Sequence, residues 1–190
     1  QKKYHMADLQ YMHAMSIYRI TYGKDHPNIA AVLHNRGKNY QSQGRYERAE
    51  EFYRQAFLID KKVNGLEDSS AAVTLHNIGN LYYIRRKYKI AEGLYKQAFA
   101  IEERTRGLEH PETANTLYAL GRLYHKQEQH GEAEKFYQQA AAIREEVLGL
   151  NHPDTIITIK WYAYLLYQTN RIPEVKALLA RVNLTLDDIL

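Results

Sequence analysis

The stretch LHNRGKNY at 33–40 is written again as LHNIGNLY at 75–82. The two copies stand 42 residues apart, and the same interval separates Gly23, Gly65, Gly107 and Gly149. Self-similarity at a fixed period of this size marks a repeat architecture, in which each unit buries its apolar face only by stacking on its neighbours. The register holds along the chain. Leu33, Leu75, Leu117 and Ile159 share a position, followed by Gly37, Gly79, Gly121 and Ala163, and by Tyr40, Tyr82, Tyr124 and Leu166. Further on, Ala49, Ala91, Ala133 and Val175 align, then Tyr53, Tyr95, Tyr137 and Leu179, then Ala56, Ala98, Ala140 and Val182. Ala7, Tyr11, Ala14 and Ile17 fall on Ala49, Tyr53, Ala56 and Ile59, so 4–22 reads as the second half of an earlier unit. The organisation expected is one repeat domain over 1–190: a half repeat at 4–22, full repeats at 26–64, 68–106 and 110–148, and a terminal capping repeat at 152–190.

Each unit reads as two amphipathic helices. Within 26–44, Ile29, Leu33, Gly37 and Tyr40 recur at helical spacing, and within 46–64 Tyr46, Ala49, Tyr53 and Ala56, with Phe52, Ile59 and Val63, do the same. Pro27, Pro111 and Pro153 suit a first helical position, and Asp68 can cap where the His-Pro pair is absent. The 42-periodic glycines, three of them followed by Leu66, Leu108 and Leu150, suit a left-handed C-terminal cap with its apolar contact. Gly37, Gly79 and Gly121 lie inside the first helix, where glycine costs ~1 kcal/mol against alanine. That points to close helix approach, with Ala49, Ala91 and Ala133 as the small residues opposite. Arg36 stands where Ile78, Leu120 and Tyr162 are apolar, so its stem should pack and its head reach water. In the last unit the second helix, 172–182, lacks the extension and the Gly-Leu terminator, and Asn183 stands at the turn. The expectation is a true C-terminal cap in which Leu186 and Ile189 partly cover Trp161 and Tyr162. The first helix, with none before it, should fray.

Composition narrows the function. The chain of 190 residues has no cysteine, hence no disulfide framework and no thiolate metal site, which suits a cytoplasmic setting. No apolar run approaches a membrane span, and the N-terminus lacks the layout of a signal peptide. A chain that begins at Gln1 reads as an excised piece. The +4 net charge is spread among acidic residues, and the longest basic run is Arg85-Arg86-Lys87, so nucleic acid is not the expected partner. There is no Walker loop, HExxH, GxSxG or cysteine nucleophile, and no enzyme activity or cofactor is expected. His26, His110 and His152 belong to the turns. His34 and His76 repeat, yet equivalent residues of stacked helices lie about 8–10 Å or more apart, too far for shared zinc ligation at ~2 Å. Glu50, Glu92 and Glu134 also repeat, on a surface expected to be solvated.

The Leu, Asn, Gly and Tyr of the first helix, the Gly-x-Tyr turn and the Ala-Glu-x-x-Tyr-x-x-Ala of the second resemble the tetratricopeptide repeat. The 42-residue period with its Gly-Leu-x-His-Pro linker is similar to the longer, kinesin-light-chain-like subtype. The excess over the usual repeat of about 34 residues equals about two helical turns, ~12 Å of helix. The resemblance implies an all-α, right-handed superhelical solenoid of helix-turn-helix repeats whose first helices line a concave, peptide-binding groove.

At about 100° per residue, positions 31, 35, 38 and 42 face away from Leu33. In successive units this stripe reads Ala31, Asn35, Lys38, Ser42; Val73, Asn77, Asn80, Ile84; Asn115, Ala119, Arg122, Lys126; and Ile157, Trp161, Tyr164, Gln168. The resemblance implies that Asn35 and Asn77 clamp a peptide main chain, their amides offering donor and acceptor. Ala119 and Trp161 depart from that pattern. Lys38, Asn80, Arg122, Lys126, Trp161 and Tyr164 complete the candidate peptide site, with Lys160 beside it. A basic third unit and an aromatic fourth suit an acidic ligand with an apolar anchor. The function expected is an adaptor or scaffold binding an extended peptide or partner segment. A sensor or regulatory arm of a larger signalling ATPase is the alternative, distinguished by a nucleotide-binding domain upstream; a purely structural scaffold would show no groove ligand.

Overall fold

A computed structural model describes residues 2–65 and 68–190. Among the described residues there are nine α-helices, one short 3-10 turn and no strand. In chain order they are α1 (Lys2–Tyr22), α2 (Pro27–Ser42), α3 (Tyr46–Asn64), α4 (Ser69–Ile84), α5 (Tyr88–Arg106), α6 (Pro111–Lys126), α7 (His130–Leu148), α8 (Pro153–Gln168) and α9 (Ile172–Ala180), with the 3-10 turn at Leu186–Asp188. They gather into two compact units, one through Ile101 and one from Glu102 on, with the boundary inside α5.

Helix starts follow from the linker chemistry. The Nδ1 atoms of His26, His110 and His152 accept from the backbone N–H of Asn28, Glu112 and Asp154 at 3.2, 3.2 and 3.1 Å. Asp68 does the same for Ser70 at 2.8 Å. The histidine of each His-Pro pair is thus an N-cap, and an accepting Nδ1 places the proton of neutral imidazole on Nε2.

Helix ends correct the expected caps. Gly23, Gly65, Gly107 and Gly149 have φ between +84 and +88°. Gly65 and Gly149, however, have ψ of 172 and 162°, an extended conformation open to glycine and not the left-handed cap. Leu108 and Leu150 are exposed at 50% and 39%, so neither makes much apolar contact; Leu66 lies outside the described residues. The left-handed cap stands instead at the end of each first helix, at Gly44, Arg86, Glu128 and Asn170, with φ of 73, 58, 60 and 61°. Beside it the amide of Arg45, Lys87, Gln129 or Arg171 reaches back to the carbonyl of Tyr40, Tyr82, Tyr124 or Leu166 at 2.8–3.0 Å. This is the bond pattern of a Schellman motif.

In the first unit, Ile29, Ala30, Leu33 and Ala56 form one cluster with Met15 and Tyr18 of α1. Ala49, Tyr53, Ile78 and Leu81 form the next, and Ala72, Leu75 and Ala98 a third. In α1 Met6, Leu9, Met12, Ile17 and Ile20 are exposed. In the second unit, Ile159, Ala163, Leu166, Val175, Leu179 and Val182 gather with Tyr162, Leu184, Leu186 and Ile189. Asn183, at φ 56°, makes the turn after α9.

The interior glycines owe their place to tyrosine, not to the alanines expected opposite them. A Cβ at Gly37, Gly79 or Gly121 would stand 2.5, 2.7 and 2.7 Å from the rings of Tyr53, Tyr95 and Tyr137, all three fully buried. Arg36 is corrected too. It is buried, its Nε and Nη2 bind the carboxylate of Asp8 at 2.8 and 3.2 Å, and its guanidinium lies 4.2 Å from the Phe52 ring centre.

Asp8, Glu50 and Glu134 share one register position, and none is merely solvated. Asp8 also accepts from the Tyr40 hydroxyl at 3.0 Å. Glu50 accepts from Tyr82 at 2.8 Å and from Arg85 at 3.2 Å. Glu134 takes Arg171 through both oxygens at 2.8 and 2.7 Å, and Tyr162 at 3.2 Å. Burial pushes the Glu50 carboxyl up, and the bonds from Tyr82 and Arg54 more than offset it. Glu92, at the same register, is half-buried and pairs with Lys96.

Candidate functional site

The first unit presents Asn35 and Lys38 from α2, both exposed, and Asn77 and Asn80 from α4, both half-buried. His34 of α2 meets Asn77 of α4: the Asn77 amide donates to His34 Nε2 at 2.9 Å and to the Val73 carbonyl at 2.9 Å. An accepting Nε2 fixes the His34 proton on Nδ1. Burial first, and Lys38 second, lower the His34 pKa to about 4, so the ring is neutral at physiological pH. Both Asn77 amide hydrogens are held within the protein, and its carbonyl oxygen is what it offers a ligand. The Asn80 Oδ1 accepts from the Tyr95 hydroxyl at 2.7 Å, as Gln41 Oε1 does from Tyr53 at 2.9 Å. These polar residues anchor the two core tyrosines before they meet any partner. Asn35 and Lys38 are the outward pair.

The second unit gathers the remaining four. Arg122 of α6 places its guanidinium 5.3 Å from the Trp161 ring centre and 5.8 Å from that of Tyr118. Trp161 and Tyr164 of α8 meet edge to face at 6.1 Å. Lys126, Ile157, Lys160, Trp161 and Tyr164, with Asp188 and Ile189, line a cleft of about 500 Å³. Apolar walls with a few convergent charges are the usual make-up of a binding cleft. Ala119 is buried and presents nothing to a ligand.

His125 is the residue that the stripe misses. It is buried behind the cleft, 6.0 Å from the Trp161 ring and 5.9 Å from Tyr164. Its Nε2 pairs with Gln168 Oε1 at 2.6 Å and its Nδ1 meets the Tyr137 hydroxyl at 3.4 Å. Because an amide oxygen only accepts, Nε2 carries the proton. Burial lowers its pKa, opposed by the Gln168 bond. The signal for it lay in the register: Gln41, which also holds the hydroxyl of a core tyrosine, occupies the equivalent position. Arg144 was missed as well. It is buried, donating to the Asp154 carbonyl at 2.8 Å, to Asn115 Oδ1 at 2.5 Å and to the Thr158 hydroxyl, and it pins α7 to α6 and α8. Among the described residues no group of three or more His, Asp and Glu could hold a metal ion, and no helix is long and apolar enough to cross a membrane.

Stacked helix pairs with a hydrogen-bonded interior and outward-facing side chains on their first helices define a protein-interaction fold. The chain belongs to the tetratricopeptide repeat family, whose profile matches residues 1–62, 70–146 and 124–182. Among solved structures it is similar to BtubC (BKLC) from P. vanneervenii, with a TM-score of 0.82 and 22% identity over 95% of this chain and 72% of that one. A Podospora anserina protein of the kinesin-light-chain kind, built of nearly identical repeats, aligns at TM-score 0.68 and 23% identity over 95% and 92%. YrrB, a repeat protein with an unusual peptide-binding site, aligns at 0.60 and 23% over 89% and 73%. At these identities the likeness concerns the fold, which is that of kinesin-light-chain-like repeats. Comparison with curated protein sequences finds no match.

Proposed function

We propose that the chain is a non-enzymatic adaptor or scaffold, one repeat domain over 1–190, that holds an extended peptide or partner segment on its first-helix faces. In the second unit Arg122 and Lys126 take an acidic group and Trp161 and Tyr164 an apolar side chain; in the first, Asn35, Lys38, Asn77 and Asn80 offer polar contacts of their own. The observation that carries this reading is the cluster of cations and aromatic rings around the α6–α8 cleft. The peptide-binding site of YrrB, on the same fold, lends it support. Half-exposed ion pairs stabilise a complex by only ~0.2–1 kcal/mol each, so affinity rests mainly on the buried apolar anchor.

The test is titration of acidic, aromatic-containing peptides against the wild type, Asn77→Ala and the double change Arg122→Glu with Lys126→Glu. Micromolar binding that weakens with salt is expected. Charge reversal at two pairs should cost about tenfold or more, and Asn77→Ala less, since its amide hydrogens are already committed. Binders indifferent to both variants would remove the site from these faces.

A further inference from the structure

One wall of the α6–α8 cleft is the protein's own later segment. After the turn at Asn183, Leu184, Leu186 and Ile189 pack against the buried cluster of Ile159 and Leu166 of α8 with Val175 and Leu179 of α9. The backbone N–H and the hydroxyl of Thr185 both donate to Asp188 Oδ2, at 2.8 and 3.0 Å, closing a reciprocal cap that holds the 3-10 turn. The turn delivers Asp188 and Ile189 to the lining of the cleft that Lys126, Lys160, Trp161 and Tyr164 share. The Thr185 bonds, with Lys160 adding to them, keep the Asp188 carboxyl below the usual range. Asp187, Asp188 and Leu190 are exposed, and Ile189 is half-buried. An acid followed directly by an aliphatic side chain therefore stands where lysines and aromatic rings converge.

We propose that the 184–190 segment, which walls one side of this cleft, holds part of the place of its partner and is a template for it: the partner presents an aspartate or glutamate followed directly by isoleucine or leucine and binds by displacing Asp188 and Ile189. This rests on the reading of the cleft as the site for an acidic segment with an apolar anchor, and adds the order of the two residues and the competition. A tethered occupant enjoys an effective concentration on the order of millimolar. The apparent affinity of an outside segment is then its intrinsic affinity reduced by the fraction of molecules in which the cleft stands open.

Trp161 is the single tryptophan of the chain, so its emission and its quenching by acrylamide report on this cleft alone. Two variants open it: Asp188→Lys with Ile189→Ser, which removes the occupying pair, and Thr185→Ala, which loosens the turn without altering the lining. The probe is the blocked synthetic heptapeptide LTLDDIL, and its control carries lysine and serine at the places of Asp188 and Ile189. Quenching should rise in the double variant and less in Thr185→Ala. The heptapeptide should restore the wild-type value saturably, binding the double variant about tenfold more tightly than the wild type, while the control peptide does nothing. Unchanged quenching in both variants, or equal action of the two peptides, overturns the proposal; if the double variant loses helical circular dichroism, Thr185→Ala decides. A heptapeptide that binds while no outside acidic peptide does would sink the function proposed above and leave the occupancy standing. Outside peptides that bind wild type and double variant equally well would do the reverse.

Discussion

Gly79 and Gly93 both lie within helices, yet they answer different demands. A methyl group at Gly79 would meet the Tyr95 ring at 2.7 Å, whereas at Gly93 nothing lies within 4 Å. Alanine gains ~1 kcal/mol of helix propensity at either site, but forcing a buried ring aside costs ~1–3 kcal/mol. The same substitution should therefore have opposite signs: Gly93→Ala raises the urea midpoint and Gly79→Ala lowers it. Glu102 offers a second test at this scale. It is 2% exposed, and its Oε2 has no hydrogen-bond partner. Burial raises its pKa from 4.5 to about 7, outweighing a bond from Thr116 and the charge of Arg106. Because the folded pKa lies above the unfolded one, the carboxyl is tolerated below pH 4.5 and its penalty grows until the pH passes about 7. Glu102→Gln should match the wild type at pH 4 and exceed it at pH 8 by roughly 3 kcal/mol, the linkage cost of ionising a carboxyl whose pKa stands at about 7 instead of 4.5. A stability difference that does not change with pH would show that Glu102 ionises as freely as in the unfolded chain.

The elements are set by their ends. Helical periodicity marked the windows 26–44 and 46–64, and the helices found there are Pro27–Ser42 and Tyr46–Asn64. Proline and Asp68 announced the starts. The left-handed turn escaped notice because only two of its four residues, Gly44 and Asn170, are types that favour it. Arg86 and Glu128 hold the same conformation at ~1–2 kcal/mol each. Glycine there relieves that strain but gives back ~0.5–1 kcal/mol in chain entropy. Arg86→Gly should thus stabilise by up to about 1 kcal/mol, visible as a small rise in thermal midpoint, and Gly44→Ala should lower it. An Arg86→Gly variant less stable than the wild type would mean that the arginine side chain contributes something its exposure conceals.

At the scale of the molecule, the period of the sequence made the repeat and its apolar core legible, because leucine, alanine and tyrosine recur wherever the same packing recurs. The polar partnerships were not, since they join residues that differ from repeat to repeat. Arg36 looked like an intruder on an apolar face until Asp8, a register equivalent of Glu50, stood beside it. Asn77 was read by the direction it faces, while its bonds run inward to Val73 and His34, and His125, bonded to Tyr137, lies outside the stripe. The stripe could be drawn from the sequence, and so could Ile189 beside Trp161, which line one cleft; Asp188 could not, because the segment that carries it replaces the helix extension of the earlier units.

The carboxylates of Asp8, Glu50 and Glu134 each receive donors from later in the chain, in the next helix or at a helix end: Arg36 and Tyr40, Tyr82 and Arg85, Tyr162 and Arg171, with Arg54 of its own helix added at Glu50. The attachment has a direction. During synthesis, which delivers about 5–20 residues per second from the N-terminus, the acceptor is already in place when its donors leave the ribosome, and each new helix pair emerges onto a prepared dock.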